Sequence, residues 1–149
     1  MQDALGRTVG VVDLQHAIRS TREGLRVQAE LRRIFEARQL ELTVRSGAIE
    51  AEMRAIDRLP AGQEVKRRSA ALQNRVRELQ ESQISFQREL SEREAAAIGP
   101  LVAKMRTILA EGAARRGLRF VFDRQAMPVA PTENDITEDV IQAYDATTK

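Results

Sequence analysis

The chain has 149 residues, the length of one ordinary domain, but aromatics supply only 3% of them against 31% for charged residues. There is no Cys and no Trp, which excludes disulfides and thiolate metal sites and favours long helices of Ala, Leu, Glu, Arg and Gln over a compact globule. No apolar run approaches the roughly 18 residues that a membrane-spanning helix needs, while recurring Leu, Ile and Val at a formal net charge of +2 argue against disorder.

Taken from the N-terminus, no basic and apolar leader opens the chain, so either a cytosolic protein or one whose leader has been removed fits. Thr8-Val9-Gly10-Val11-Val12-Asp13-Leu14 is a β-branched run that reads as a strand. Ser20 or Thr21 then supplies an N-cap, with Glu23 in the first turn, for a helix reaching about Leu59. Leu59-Pro60-Ala61-Gly62-Gln63 breaks it, and helical composition resumes from Glu64 to about Arg116, with a kink or short break expected at Gly99-Pro100. Gly117 fits the position just past that helix, after Arg115 and Arg116. Leu118-Arg119-Phe120-Val121-Phe122-Asp123 reads as a second strand, with Leu118, Phe120 and Phe122 on one face. Met127-Pro128-Val129-Ala130 is a candidate third strand at a sheet edge. Thr137 can cap a last short helix from Glu138 to about Tyr144.

The two long helices carry matched columns. Phe35, Leu42, Ile49 and Ile56 are seven apart, as are Val65, Leu72, Leu79 and Phe86, the spacing that keeps an apolar seam facing a partner helix. Folding the chain at Pro60-Ala61 sets Ile56 against Val65, Ile49 against Leu72, Leu42 against Leu79 and Phe35 against Phe86. Each pair of numbers sums to 121, as does Leu31 with Leu90. The predicted fold class is therefore α+β and mostly helical, with an antiparallel hairpin. Its outgoing helix interrupts the second column with Arg38, Arg45 and Glu52, so the seam is narrow. Some 40 residues make an arm of roughly 60 Å, and a seam that narrow should let it bend and splay.

Three short strands bury little by themselves and leave open edges. Val9, Val11, Val12, Leu118, Phe120 and Phe122 need more sheet than one chain supplies, which points to self-association through the strands. Charge is uneven as well. From Arg19 to Arg77 there are fourteen bases and eight acids, a balance of +6; from Asp123 to Asp145 there are one base and six acids, a balance of −5. Either these are solvated helix faces or the basic stretch attracts anionic partners.

In order and spacing, Val9-Gly10-Val11-Val12-Asp13-Leu14-Gln15, the hairpin, Leu118 to Asp123 and Asp135-Ile136-Thr137-Glu138-Asp139-Val140-Ile141 resemble the Skp/OmpH family of periplasmic chaperones over nearly the whole chain. The resemblance implies a homotrimer with a small β body, residues 1–18 and 117–149, and three helical arms, residues 19–116 with the tip at 59–63. Between the arms it implies a cavity that holds unfolded outer-membrane proteins in the periplasm, without ATP and without a cofactor. The leader would have been removed on export. Exposed apolar side chains off the seam (Leu40, Val44, Met53 and Ile84) are candidate client contacts, with ordinary surface hydrophobes as the alternative. Arg54, Arg58, Lys66, Arg67 and Arg68 near the tip would draw in acidic clients, anionic lipid or lipopolysaccharide surfaces. The family's lipopolysaccharide-binding basic cluster is not matched, since Leu90-Ser91-Glu92-Arg93-Glu94 has one base against two acids.

No catalytic constellation accompanies these features. The single histidine, His16, has no sequence partner for a triad. None of the eight glycines precedes a Lys, so there is no phosphate-binding loop. The tail acids Glu133, Asp135, Glu138 and Asp139 lack calcium-loop spacing and suit helix capping. The basic clusters have no free aromatic platform for bases, which speaks against nucleic acid. A scaffolding coiled-coil oligomer without chaperone activity is the alternative reading, separated from the first by the flanking strands, which a scaffold does not need.

Overall fold

The computed structural model describes residues 8–127, 129 and 132–148. Strand β1 (Val9–Val12) pairs in parallel with β2 (Phe120–Asp123), Val9 opposite Phe120 and Val12 opposite Asp123. Parallel strands cannot be joined by a tight turn, and here the crossover is the helical stretch from Leu14 to Arg116. On the other side of β1 the Ile136 amide donates to the Val11 carbonyl at 2.8 Å, and Val11 bridges Asp135 in parallel. The third strand expected over Met127–Ala130 lies partly outside the described residues (Pro128 and Ala130); Met127 and Val129 belong to no strand.

The run expected to stay extended through Leu14 turns helical there. Asp13 caps α1 (Leu14–Ser20), its carboxylate accepting from the His16 amide at 2.9 Å. Buried Thr21 then joins two helices. Its hydroxyl donates to the Ile18 carbonyl at 2.9 Å and accepts from the Gly24 amide at 3.0 Å, which caps α2 (Arg22–Asp57) as expected. The junction is so close that a Cβ on Gly24 would sit 1.9 Å from the Ile18 carbonyl oxygen. Gly24→Ala is therefore expected to lower stability by about 1–3 kcal/mol, the usual cost of overpacking. A thermal melt matching the parent's would contradict the tight junction.

Helix α3 (Gln63–Arg116) runs on through Pro100, so the break expected there is absent. A mid-helix Pro forgoes one backbone bond, but Ile98 and Leu101 on either side are fixed in the core. The helix ends as its sequence predicts. Gly117 takes φ +68°, the Leu118 amide donates to the Ala113 carbonyl at 2.9 Å and the Gly117 amide to Ala114 at 3.2 Å, a Schellman closure. The last helix, α4 (Thr137–Thr147), runs past Tyr144, and its cap differs from expectation. The Asp135 carboxylate, not Thr137, accepts from the first helical amide, at 2.9 Å. The Thr137 hydroxyl donates to Asp135 at 2.5 Å and accepts from the Asp13 amide at 2.9 Å, fastening α4 to the end of β1.

Two compact units result, one comprising the chain through Glu30 and from Ala95 onward, the other Leu31–Glu94. The helical stretches 19–30 and 95–116, read from sequence as arm, thus fall in the unit that holds the strands. The reason is packing: Leu101, Met105 and Ile108 of α3 share one core with Val12, Ala17, Ile18, Ile136, Val140, Ile141 and Tyr144. That core takes Val12, with Leu118 and Val121 packed against it, within one chain, and leaves Phe120 and Phe122 of the same strands exposed. Val11 and Val12 are already 1% and 3% exposed.

The second unit is the helical hairpin. The Phe35 and Phe86 rings lie 6.1 Å apart between centroids, as the sum of 121 requires. Leu42, Ile56 and Phe86 are buried, and Leu31, Ile49, Val65, Leu72, Leu79 and Leu90 half-buried. Phe35 departs from this, 45% exposed.

Candidate interaction surfaces

Facing residues of a parallel pair put their side chains on the same side of the sheet, and successive residues alternate. Val12 and Val121 accordingly join the core. Val9, Val11, Phe120 and Phe122 lie on the opposite face, where Val11 is buried while Phe120 is 57% and Phe122 43% exposed, their rings stacking at 6.3 Å. Leu118 does not share that face. It lies at the Schellman turn ahead of the strand and packs on the core, so near Gly10 that a Cβ there would stand 2.9 Å from it. Among the described residues β2 pairs only with β1, leaving its outer edge open. Two large aromatics beside an open strand edge form the most conspicuous apolar surface of this unit.

In the hairpin, the charges that interrupt the second column are themselves paired across it. Glu52 accepts two hydrogen bonds from the Arg68 guanidinium, at 2.7 and 2.8 Å. Arg45 reaches Ser82 at 3.3 Å, and Arg38 reaches Glu89 at 3.6 Å while lying 5.8 Å from the centre of the Phe86 ring. The hydrogen bond from Arg68 holds the Glu52 carboxyl below the usual carboxylate range, with burial opposing it. The narrow apolar seam is thus completed by planar, two-pronged ion pairing. Leu40, Val44, Met53 and Ile84 are all exposed.

The tip is less free in charge than the sequence suggests. Arg67 is held by Glu64 at 2.8 Å, Arg68 by Glu52, and Arg54 stands 4.0 Å from Glu50. Among the described residues, only Arg58 and Lys66 of the five bases lack an acidic partner. A charge balance counts residues; it does not see i,i+3 pairs or pairs across a hairpin.

A polar cluster that sequence reasoning missed secures α4 in the first unit. The fully buried Tyr144 donates to Glu23 at 2.7 Å, with the Lys104 ammonium 4.2 Å from the ring centre, 3.6 Å from Glu23 and 2.6 Å from the Thr148 hydroxyl. Burial, then Glu23, pushes the phenol well above its ordinary range. The phenol hydrogen bond in turn holds the Glu23 carboxyl down, against burial and with help from Lys104. The Arg22 guanidinium closes the far side through the Asp145 and Thr148 carbonyls. The only sequence signal was Tyr144 itself, the single tyrosine of the chain. His16 is exposed, its Nε2 3.4 Å from the Ser20 hydroxyl.

The chain resembles the crystal structure of a candidate outer membrane chaperone (OmpH-like) from Caulobacter crescentus CB15, with a TM-score of 0.79 and 25% identity, over 93% of this chain and 84% of that one. No curated protein matches it. Residues 8–144, from the start of β1 into α4, match the profile of the family described as outer membrane protein (OmpH-like). The parallel strand pair, the helical hairpin between its strands and most of the closing helix lie in that match, and the chain belongs to the OmpH-like family.

Proposed function

We propose that this protein is an ATP-independent holdase of the periplasm. Three copies join through their strands, and the helical arms enclose a space in which an unfolded outer-membrane protein is kept from aggregating. Family membership supports the chaperone role, and the observation that favours assembly is the exposed Phe120–Phe122 pair beside the open edge of β2. Unfolded membrane strands expose apolar surface and unpaired edges and aggregate through them. Many weak contacts with exposed side chains such as Leu40, Val44, Met53 and Ile84 would hold such a chain without fixing its sequence. Arg58 and Lys66 are the bases best placed to speed the encounter with acidic clients or anionic lipid heads. With no glycine–lysine phosphate loop in the sequence, release would have to come from exchange among weak contacts and not from nucleotide hydrolysis.

The test is dilution of a denatured outer-membrane β-barrel out of urea, with no nucleotide present. Turbidity should fall as the protein is added and vanish near three chains per client. Turbidity unchanged across that range would overturn the proposal, and the scaffolding reading would replace it.

A further inference from the structure

Along the hairpin lies an open groove of about 690 Å³, lined entirely by residues of the second unit. Its apolar lining is the buried Leu42 and Phe86 with the exposed Phe35 and Ile84 beside them. The groove stays open because small residues stand there: a Cβ on Gly47 would meet nothing within 4 Å, and Thr43 and Ser46 lie beside it. Around the rim are Gln39, Gln83 and Gln87, whose side-chain amides have no hydrogen-bond partner among the described residues. Glu50 is the single charge in the lining and sits 4.0 Å from Arg54, in a chain that is 31% charged overall.

We propose that this groove docks an extended, uncharged segment of an unfolded chain. Every second side chain of an extended segment points the same way, so apolar residues at alternate positions reach the apolar lining. Its unpaired main-chain N–H and C=O groups meet the rim amides, each of which donates and accepts. A helix would satisfy its own main chain and leave those amides idle. An acidic segment would lose water without meeting a base in the lining to pair with. Neutral amides read the main chain and not the sequence, which suits a binder of many different clients. This inference rests on the holdase reading and names one place, and one class of segment, for its weak contacts.

The experiment uses the full chain and a labelled neutral nonapeptide of alternating Val and Thr, with binding followed by fluorescence anisotropy. Gly47→Leu fills the groove and, as Leu is the better helix former, should keep the parent's circular dichroism while lowering peptide affinity about tenfold or more. Gly47→Ala should bind like the parent. Affinity for Gly47→Leu equal to the parent's would overturn the proposal. So would tighter binding of a helical peptide or of the nonapeptide carrying Asp, or a change in solution mass with Gly47→Leu, which would make a second copy the occupant. A protein that suppresses client aggregation but ignores the nonapeptide refutes the groove and leaves the holdase standing; one that does neither refutes both.

Discussion

Phe122→Asp is expected to leave each chain folded while reducing the solution mass from that of the assembly to that of one 16.7 kDa chain. Within a single chain the substitution is mild, because Phe122 is 43% exposed and stacks only on Phe120. In an assembly closed over this face, each copy would bury a carboxylate without a partner, at a cost of several kcal/mol per site. Phe120→Asp should behave alike, and both variants should lose aggregation suppression together with the assembly. Unchanged circular dichroism with lowered mass by light scattering is the expected pair of results. Retention of the parent mass by both variants would mean that this face does not hold the copies together.

Tyr144→Ala is expected to cost the first unit about 3–5 kcal/mol, since it removes a fully buried ring from the core and leaves a cavity. Tyr144→Phe isolates the hydroxyl. It keeps most of the packing but leaves the Glu23 carboxylate short of its nearest donor, for a cost of about 1–3 kcal/mol. The same contact sets a pH dependence. The Glu23 carboxyl titrates below its ordinary value of 4.5 when folded, so its contribution is present above that value and is lost as pH falls through the lowered one. The Tm of the parent should therefore drop on acidification below about pH 4.5, and Glu23→Gln should flatten that drop while lowering Tm at neutral pH. A Glu23→Gln chain with the parent's Tm at both pH values would contradict the cluster.

Much of this architecture was legible because it rests on periodicity and on caps. The seven-residue columns and the breaker at Pro60 defined the hairpin register that brings Phe35 to Phe86. Gly117 marks the end of α3, and Ser20-Thr21 the start of α2, where Thr21 is the one that caps. Helix α1 escaped notice because seven residues are too few for a helical period to show, although Asp13 three residues ahead of His16 was a usable capping signal. The second strand is legible, its faces only in part. Alternation shows that Val121 opposes Phe120 and Phe122; it does not tell which side the chain's own helices will cover. A period of two extended back to Leu118 puts it on the aromatic face, but the Gly117 turn redirects that residue. Long-range polar pairs were the least legible. Glu52 with Arg68 and Tyr144 with Glu23 depend on which helix turns meet across the fold, and no local pattern in the sequence records that.

The central claim is that an assembly of this chain, and not a single copy, holds an unfolded outer-membrane protein. Light scattering on a size-exclusion column measures it most directly, with the protein run alone and then after mixing with a denatured β-barrel in nucleotide-free buffer. The account predicts the mass of three chains alone and of three chains plus one client after mixing, with Phe122→Asp giving one chain and no complex. A parent protein that elutes as a single 16.7 kDa chain, or an assembly whose mass the client does not change, would contradict it.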